Sequence, residues 1–224
     1  MKIATFGCSW TAGVANLDDH YSWSQSISKH HEVDNYAIGG SSLSFQVYCF
    51  NKVLKHENYD KVIFQFTTPG RLTYFPHGYD IFAHHKRYTK NYSMFSMEDG
   101  SYRTLNCITK GHSSLPKRHA FWTSKEKYNL MKAYYSTVPW EIYATEYMAL
   151  VEYIASRVDL CFFHNEDPFK FSKDLDKSNS HPVMHNEVRK RSGQELLDSF
   201  IADEGDHYNK QGCDWVADWV LENI

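Results

Sequence analysis

The tightest constraint on this chain is a junction repeated three times in its first seventy residues: a short strand-like stretch stopped by a backbone breaker. Residues 2–6 form a short, strand-like apolar run that stops at Gly7, the stretch 32–38 ends in Gly39-Gly40, and the run 62–66, apolar but for Gln65, is broken by Pro69-Gly70. Runs of this length bounded by glycine or proline read as strands, and one that is apolar on both alternating faces is buried on both, as in a parallel sheet. The segments between them are helix-sized. Asp18 or Asp19 can cap a helix running to about Lys29, and from Ser42 the residues Leu43, Val47, Phe50 and Leu54 recur at helical spacing on one face. Strand, helix, strand, helix, strand is the order of a parallel sheet covered by helices on both faces.

The second half is read with the same signals. Residues 71–122 lose clear periodicity and are rich in Tyr, His, Ser and Gly, which marks a long insertion rather than another strand–helix unit. Thr123 and Glu126 have capping-box spacing, and a helix begins near Pro139 with Tyr143, Tyr147, Leu150 and Ile154 as its inward stripe. Residues 158–163 read as a fourth strand and 199–202 as a short fifth. From Asn209 a helix runs to the end with Val216 and Val220 inward. A chain of 224 residues is of ordinary size for one core, so the expectation is a single α/β domain over 1–224 with a mostly parallel five-stranded sheet and an insertion at about 71–122.

Composition narrows the function classes. The chain is 42% apolar and 23% charged, as folded globular proteins are, and its net charge of -3 with no stripe of Lys or Arg argues against nucleic acid as a partner. No apolar run approaches membrane-spanning length, and residues 3–6 are too short for a signal-peptide core, so the expectation is a soluble protein without a membrane span or export signal. The five cysteines, Cys8, Cys49, Cys107, Cys161 and Cys213, are widely spaced and form no paired motif, which reads as reduced packing residues. Gly39-Gly40-Ser41-Ser42 matches neither the Walker nor the dinucleotide-binding pattern, and no cofactor is expected.

Open parallel sheets bind ligands beyond the carboxyl ends of their strands. Here those ends carry Gly7-Cys8-Ser9, Gly39-Gly40-Ser41, Thr67-Thr68-Pro69-Gly70-Arg71, His164-Asn165-Glu166-Asp167 and Asp203-Glu204-Gly205-Asp206-His207. A serine becomes a nucleophile when a histidine takes its proton, an acid orients that histidine, and N–H donors await the oxyanion. Ser9 and His207 supply the first two parts. Cys8 is a second nucleophile beside Ser9, and Asp203, Glu204 and Asp206 all lie near His207. Separately, His181 and His185 are four apart and raise a metal reading, which Pro182 weakens by interrupting the helix that would align them.

Residues 6–13, Phe-Gly-Cys-Ser-Trp-Thr-Ala-Gly, resemble the first conserved block of the SGNH (GDSL-like) hydrolases, with Ser9 in the nucleophile position. Asn35-Tyr36-Ala37-Ile38-Gly39-Gly40-Ser41-Ser42 resembles the second block, and Trp23 stands where members often have tryptophan. Glu204-Gly205-Asp206-His207-Tyr208-Asn209-Lys210-Gln211-Gly212 resembles the last block, with acid and histidine three apart. The resemblance covers residues 1–70 and 195–224. It implies a flavodoxin-like three-layer α/β/α sandwich, a Ser9–His207–Glu204 triad with Asp203 as the alternative acid, and an oxyanion hole from the N–H groups of Ser9 and Gly40. The third block departs: Thr67-Thr68-Pro69-Gly70-Arg71 stands where a typical member has Gly-x-Asn-Asp, so an Asn donor is absent and Thr67, Thr68 and Arg71 are the residues left to contact substrate or oxyanion.

Two functions follow from that pattern. One is a serine esterase acting on a small acyl group, such as an acetyl ester on a carbohydrate, in line with the 16% aromatic content and the Tyr-rich insertion. The other is a catalytically degenerate SGNH-like protein that binds glycans or serves in an assembly, either as a homo-oligomer or as a virion component, since short chains with this N-terminal block also resemble SGNH-like proteins of tailed bacteriophages.

Overall fold

A computed structural model describes residues 1–13, 21–39, 41–67, 71–74, 86–88, 106–109, 133, 137, 139–164, 181–201 and 207–224. In chain order these form β1 (Lys2–Phe6), α1 (Ser9–Ala12), α2 (Trp23–Ile27), β2 (Glu32–Asn35), α3 (Leu43–His56), β3 (Lys61–Phe66), β4 (Arg71–Tyr74), β5 (Lys86–Tyr88), β6 (Asn106–Thr109), α4 (Trp140–Ala155), β7 (Leu160–Phe163), α5 (Met184–Ser192), α6 (Gln194–Phe200) and α7 (Lys210–Glu222).

The chain is an α/β protein built on four parallel strands in the order β2-β1-β3-β7. After β1 the chain goes to one side to form β2, then returns past β1 to form β3 on the other. The two directions part between β1 and β3, and at such a switch point the loops leaving the strand ends diverge and open a crevice. β5 adds three antiparallel residues to the outer edge of β2, with Asp34 opposite Arg87. β4 and β6 pair antiparallel in a separate two-stranded sheet. The insertion read as irregular therefore contributes strands; the polar, aromatic composition of 71–122 masked them because short edge strands need no continuous apolar face.

Strand alternation sorts the core into two layers. Ala4, Phe6, Phe64, Phe66, Cys161 and Phe163 face α3 and α4, while Ile3, Ile63 and Phe162 face α2, α5, α6 and α7. Phe6 is the centre of the first layer, stacked on Phe64 at 5.9 Å and on Tyr36 at 5.3 Å. Each such fully buried side chain contributes about 1.5–3 kcal/mol relative to exposure, so this aromatic layer holds β1 and β3 together beneath the crevice.

Several sequence expectations are corrected. The helix before β2 is α2, which starts after Ser22, whose hydroxyl accepts from Gln25 N–H at 3.2 Å; Asp18 and Asp19 lie outside the described residues. β2 ends at Asn35 rather than residue 38, because the Asn35 side chain accepts Ala37 N–H at 2.9 Å and closes a local turn in place of the ladder. The inward stripe of α4 is Ala144, Tyr147, Val151 and Ile154, with Tyr143 and Leu150 only half-buried. The expected fifth parallel strand at 199–202 is not one. Residues up to Phe200 belong to α6, whose Leu197 and Phe200 are buried at helical spacing, and Ile201 makes only an isolated antiparallel bridge to Tyr208. Pro182 lies in an extended segment, its carbonyl accepting Phe163 N–H and the next residue, Val183, bridging to Phe163, and α5 begins only at Met184. The capping box at Thr123 lies outside the described residues. Among the described residues no helix is long and apolar enough to cross a membrane.

Candidate active site

The site begins at the β1–α1 turn. Gly7 has no side chain, and the space one would need is taken: a Cβ there would lie 2.3 Å from Thr11 Oγ1 and 2.9 Å from both Thr11 Cβ and Gln65 Oε1. This allows α1 to fold back tightly on β3, where Thr11 Oγ1 donates to Gln65 Oε1 at 2.9 Å. Cys8 is turned into the same interior, its thiol 3.6 Å from Gln65 Oε1 and its residue only 1% exposed. Ser9, the next residue, consequently points the other way, toward the crevice. It is also the first residue of α1, so its N–H is among the first-turn donors that a helix leaves without internal acceptors. Gly13 closes α1 in the left-handed conformation, φ 72°.

The second glycine block is moored to the first. Asn35 Nδ2 donates to Thr11 O at 2.7 Å and to Ser24 Oγ at 2.9 Å, and Ile38 N–H donates to Gly7 O at 3.1 Å. Ser42 then caps α3 by accepting Phe45 N–H, while Gln46 Nε2 donates to Ser41 Oγ at 2.9 Å. Gly40 itself lies outside the described residues; its neighbours on the Ile38 side are carried to the turn that precedes Ser9.

His207 comes from the far end of the chain, and three contacts made by the two residues after it hold it in place. Tyr208 is bridged to Ile201, Asn209 caps α7 by accepting Gly212 N–H at 3.0 Å, and Asn209 Nδ2 donates to Ser199 O at 2.7 Å. Gly212 is required for this docking, since a Cβ there would fall 2.8 Å from Phe200 Cβ and 2.9 Å from Tyr208 Cβ. The result is that His207 Nε2 lies 2.9 Å from Ser9 Oγ, across 198 residues of sequence. That is the contact a general base needs to take the hydroxyl proton, with the ring in its Nδ1–H tautomer.

Around this pair lies a pocket lined by Ser9, Trp10, Gly13, Tyr21, Trp23, His164, His207, Tyr208 and Cys213. Its walls are mainly aromatic. Trp10 stacks on His207 with ring centroids 4.3 Å apart and planes 25° apart, and its ring also packs against His164 and, edge-on, against Tyr208. Burial pushes the Cys213 thiol up to about 12, so it stays protonated and inert. Tyr21 is fixed from behind: its hydroxyl donates to Asp214, which also accepts from Ser26 Oγ, Lys29 Nζ and Lys210 Nζ. Burial alone would raise the Asp214 carboxyl, but the donors from Lys210, Ser26, Tyr21 and Lys29 outweigh it and hold the group well below the usual carboxylate range.

Of the other residues singled out in the sequence, Thr67 is buried at the end of β3 with its carbonyl accepting from the Tyr147 hydroxyl. Thr68, Asp203, Glu204 and Asp206 lie outside the described residues, and Arg71 is described only as part of β4. His181 and His185 are not brought together: His181 Nδ1 is 3.5 Å from Cys161 Sγ on the α3–α4 side of the sheet, whereas His185 packs against His164 and Tyr208 on the opposite side. Among the described residues no group of three or more His, Cys, Asp or Glu is arranged to hold a metal ion. Sequence reasoning missed Trp10, Tyr21 and Tyr208 as pocket walls; Trp10 and Tyr208 each directly follow a candidate site residue, which was the available signal. No protein-family model matches the chain, and no curated protein is significantly similar to it.

Proposed function

We propose that this chain is a serine ester hydrolase of SGNH type on a flavodoxin-like sandwich. The observation that carries the reading is the 2.9 Å approach of His207 Nε2 to Ser9 Oγ at the switch point of the sheet. In the mechanism, Ser9 Oγ attacks the ester carbonyl carbon as its proton passes to His207 Nε2. The tetrahedral oxyanion is stabilised by the N–H groups of Ser9 and Gly40, and its collapse expels the alcohol, which takes the proton from His207. Water, deprotonated by His207, then attacks the acyl-enzyme, and Ser9 is regenerated. Glu204, three residues before His207, is the proposed orienting acid, with Asp203 in reserve. The aromatic pocket beside Ser9 suits a small acyl group, and an acetyl ester on a carbohydrate is the substrate class proposed.

A second reading rests on one observation. The strand end at Thr67-Thr68-Pro69-Gly70-Arg71 lacks the asparagine donor of the SGNH pattern, and losing one oxyanion donor costs roughly a hundred- to a thousand-fold in turnover. On that reading the chain is a glycan-binding or structural member without catalysis.

The test is hydrolysis of p-nitrophenyl acetate and acetylated glycans by the wild type beside Ser9→Ala and His207→Ala, with chelator in every sample. The esterase reading expects each variant to lose at least about a thousandfold in kcat. A folded wild type no faster than its variants on either substrate would make the non-catalytic reading the better one.

A further inference from the structure

His207 has an aromatic face against it that a proton-transfer mechanism does not by itself require. Trp10 is 8% exposed, is held in α1 immediately after Ser9, and lies stacked on the imidazole at 4.3 Å. The same short helix therefore sets both the nucleophile and the ring against which its base rests. We propose that Trp10 is a positioning residue that stabilises the protonated form of His207 through its π face, holding the ring toward Ser9 as the imidazolium develops. The role in catalysis rests on the serine–histidine reading above; the stabilisation of the imidazolium does not.

The physical argument is electrostatic. The face of an indole is its negative side, and tryptophan is the best of the aromatic side chains at holding a cation there; the attraction grows as water is displaced, and here His207 is part-buried beside a pocket walled by Tyr21, Trp23 and Tyr208. Other titratable groups also face this site: Ser9 from α1, His164 from the end of β7, His185 from α5, Tyr208 beside His207, and Cys213 from α7. Tyr21 faces it too, with Asp214, Lys29 and Lys210 behind. The residues just before His207 in the chain include Asp203, Glu204 and Asp206. Trp10 itself packs on His164, His185 and Tyr208, so the comparison that isolates the indole is one that leaves its shape unchanged.

The direction of that change separates the proposal from simple packing. Losing a π face destabilises imidazolium and lowers the pH at which His207 titrates. Opening the pocket to water relieves burial of the charged form and raises it.

The experiment is a proton NMR titration of the His207 ring, assigned among the thirteen histidines by its disappearance in His207→Gln. It is run on the wild type, Trp10→Leu and Trp10→Phe, together with the acid limb of kcat/KM on p-nitrophenyl acetate. Trp10→Leu is expected to move the His207 midpoint down by about half to one pH unit, with Trp10→Phe falling between it and the wild type. Biosynthetic replacement of tryptophan by 5-fluorotryptophan weakens the π face without changing packing, and is expected to shift the midpoint the same way, by less. It keeps the test decisive even if Trp10→Leu does not fold. A midpoint that rises, or stays fixed in the fluorinated protein, overturns the proposal. If the wild type hydrolyses no ester while the midpoint still falls, the esterase reading fails and the stabilisation of His207 stands.

Discussion

Replacing Gly7 by alanine tests the geometry on which the site depends. The backbone at Gly7 lies outside the left-handed region, where Gly13 and Gly193 are, so a side chain is excluded by space and not by conformation. The added methyl would meet Thr11 Oγ1 at 2.3 Å and Thr11 Cβ at 2.9 Å. Rotating the threonine side chain relieves the first contact and leaves the second, so α1 must move away from β3. Overpacking of this kind costs about 1–3 kcal/mol. The displacement also stretches the buried hydrogen bond from Thr11 to Gln65, with a further loss of about 1 kcal/mol. For a chain of this size, a combined loss near 3 kcal/mol lowers the melting temperature by roughly 6–12 °C. Because α1 carries Ser9, a shift of even part of an ångström also separates Ser9 Oγ from His207 Nε2, and misplacement of about 1 Å costs on the order of a hundredfold in rate. Calorimetry gives the first number and ester hydrolysis the second. Combining Gly7→Ala with Thr11→Ala removes the worst contact and should recover part of both. A Gly7→Ala protein melting within about 2 °C of the wild type, with its hydrolysis intact, would show that the turn is not packed as described and that the placement of Ser9 does not depend on it.

Two further substitutions probe neighbouring features. Cys8→Ala removes a thiol that faces Gln65 in the interior, so the proposed esterase reading expects hydrolysis to persist within about threefold while stability falls by roughly 1 kcal/mol; loss of activity comparable to Ser9→Ala would transfer the nucleophile to Cys8. Asp214→Asn removes an acceptor shared by Tyr21, Ser26, Lys29 and Lys210, and, with its lysine partners largely solvent-screened, should cost about 1 kcal/mol at neutral pH. The folded carboxyl titrates below its unfolded value, so its stabilisation is present above the unfolded pKa and is lost as pH falls through the folded one. Urea melts of wild type and Asp214→Asn should accordingly differ at pH 7 and converge well below pH 4, and curves that stay parallel throughout that range would remove the cluster from the account of acid stability.

The sequence by itself determined what depends on local pattern. Mainly apolar runs located β1, β3 and β7, because a strand buried on both faces presents mostly apolar side chains to each. Helical spacing located α3 and α7, starting from Ser42 and Asn209, which the structure shows as their caps. Ser9 stood out because it follows the end of β1, whereas His207 was marked by the resemblance of residues 204–212 to the last SGNH block. Other features depended on packing between distant segments. Residues 199 and 200 could be strand or helix on their own, and the burial of Leu197 and Phe200 against α7 decided for helix. The direction of the Cys8 thiol is likewise tertiary: the side chain of Gln65, 57 residues away, meets it in the interior. The placement of Trp10 over His207, and the separation of His181 from His185 onto opposite sides of the sheet, are tertiary in the same sense: sequence spacing says which residues share a turn, and only the sheet says which side of it each will face.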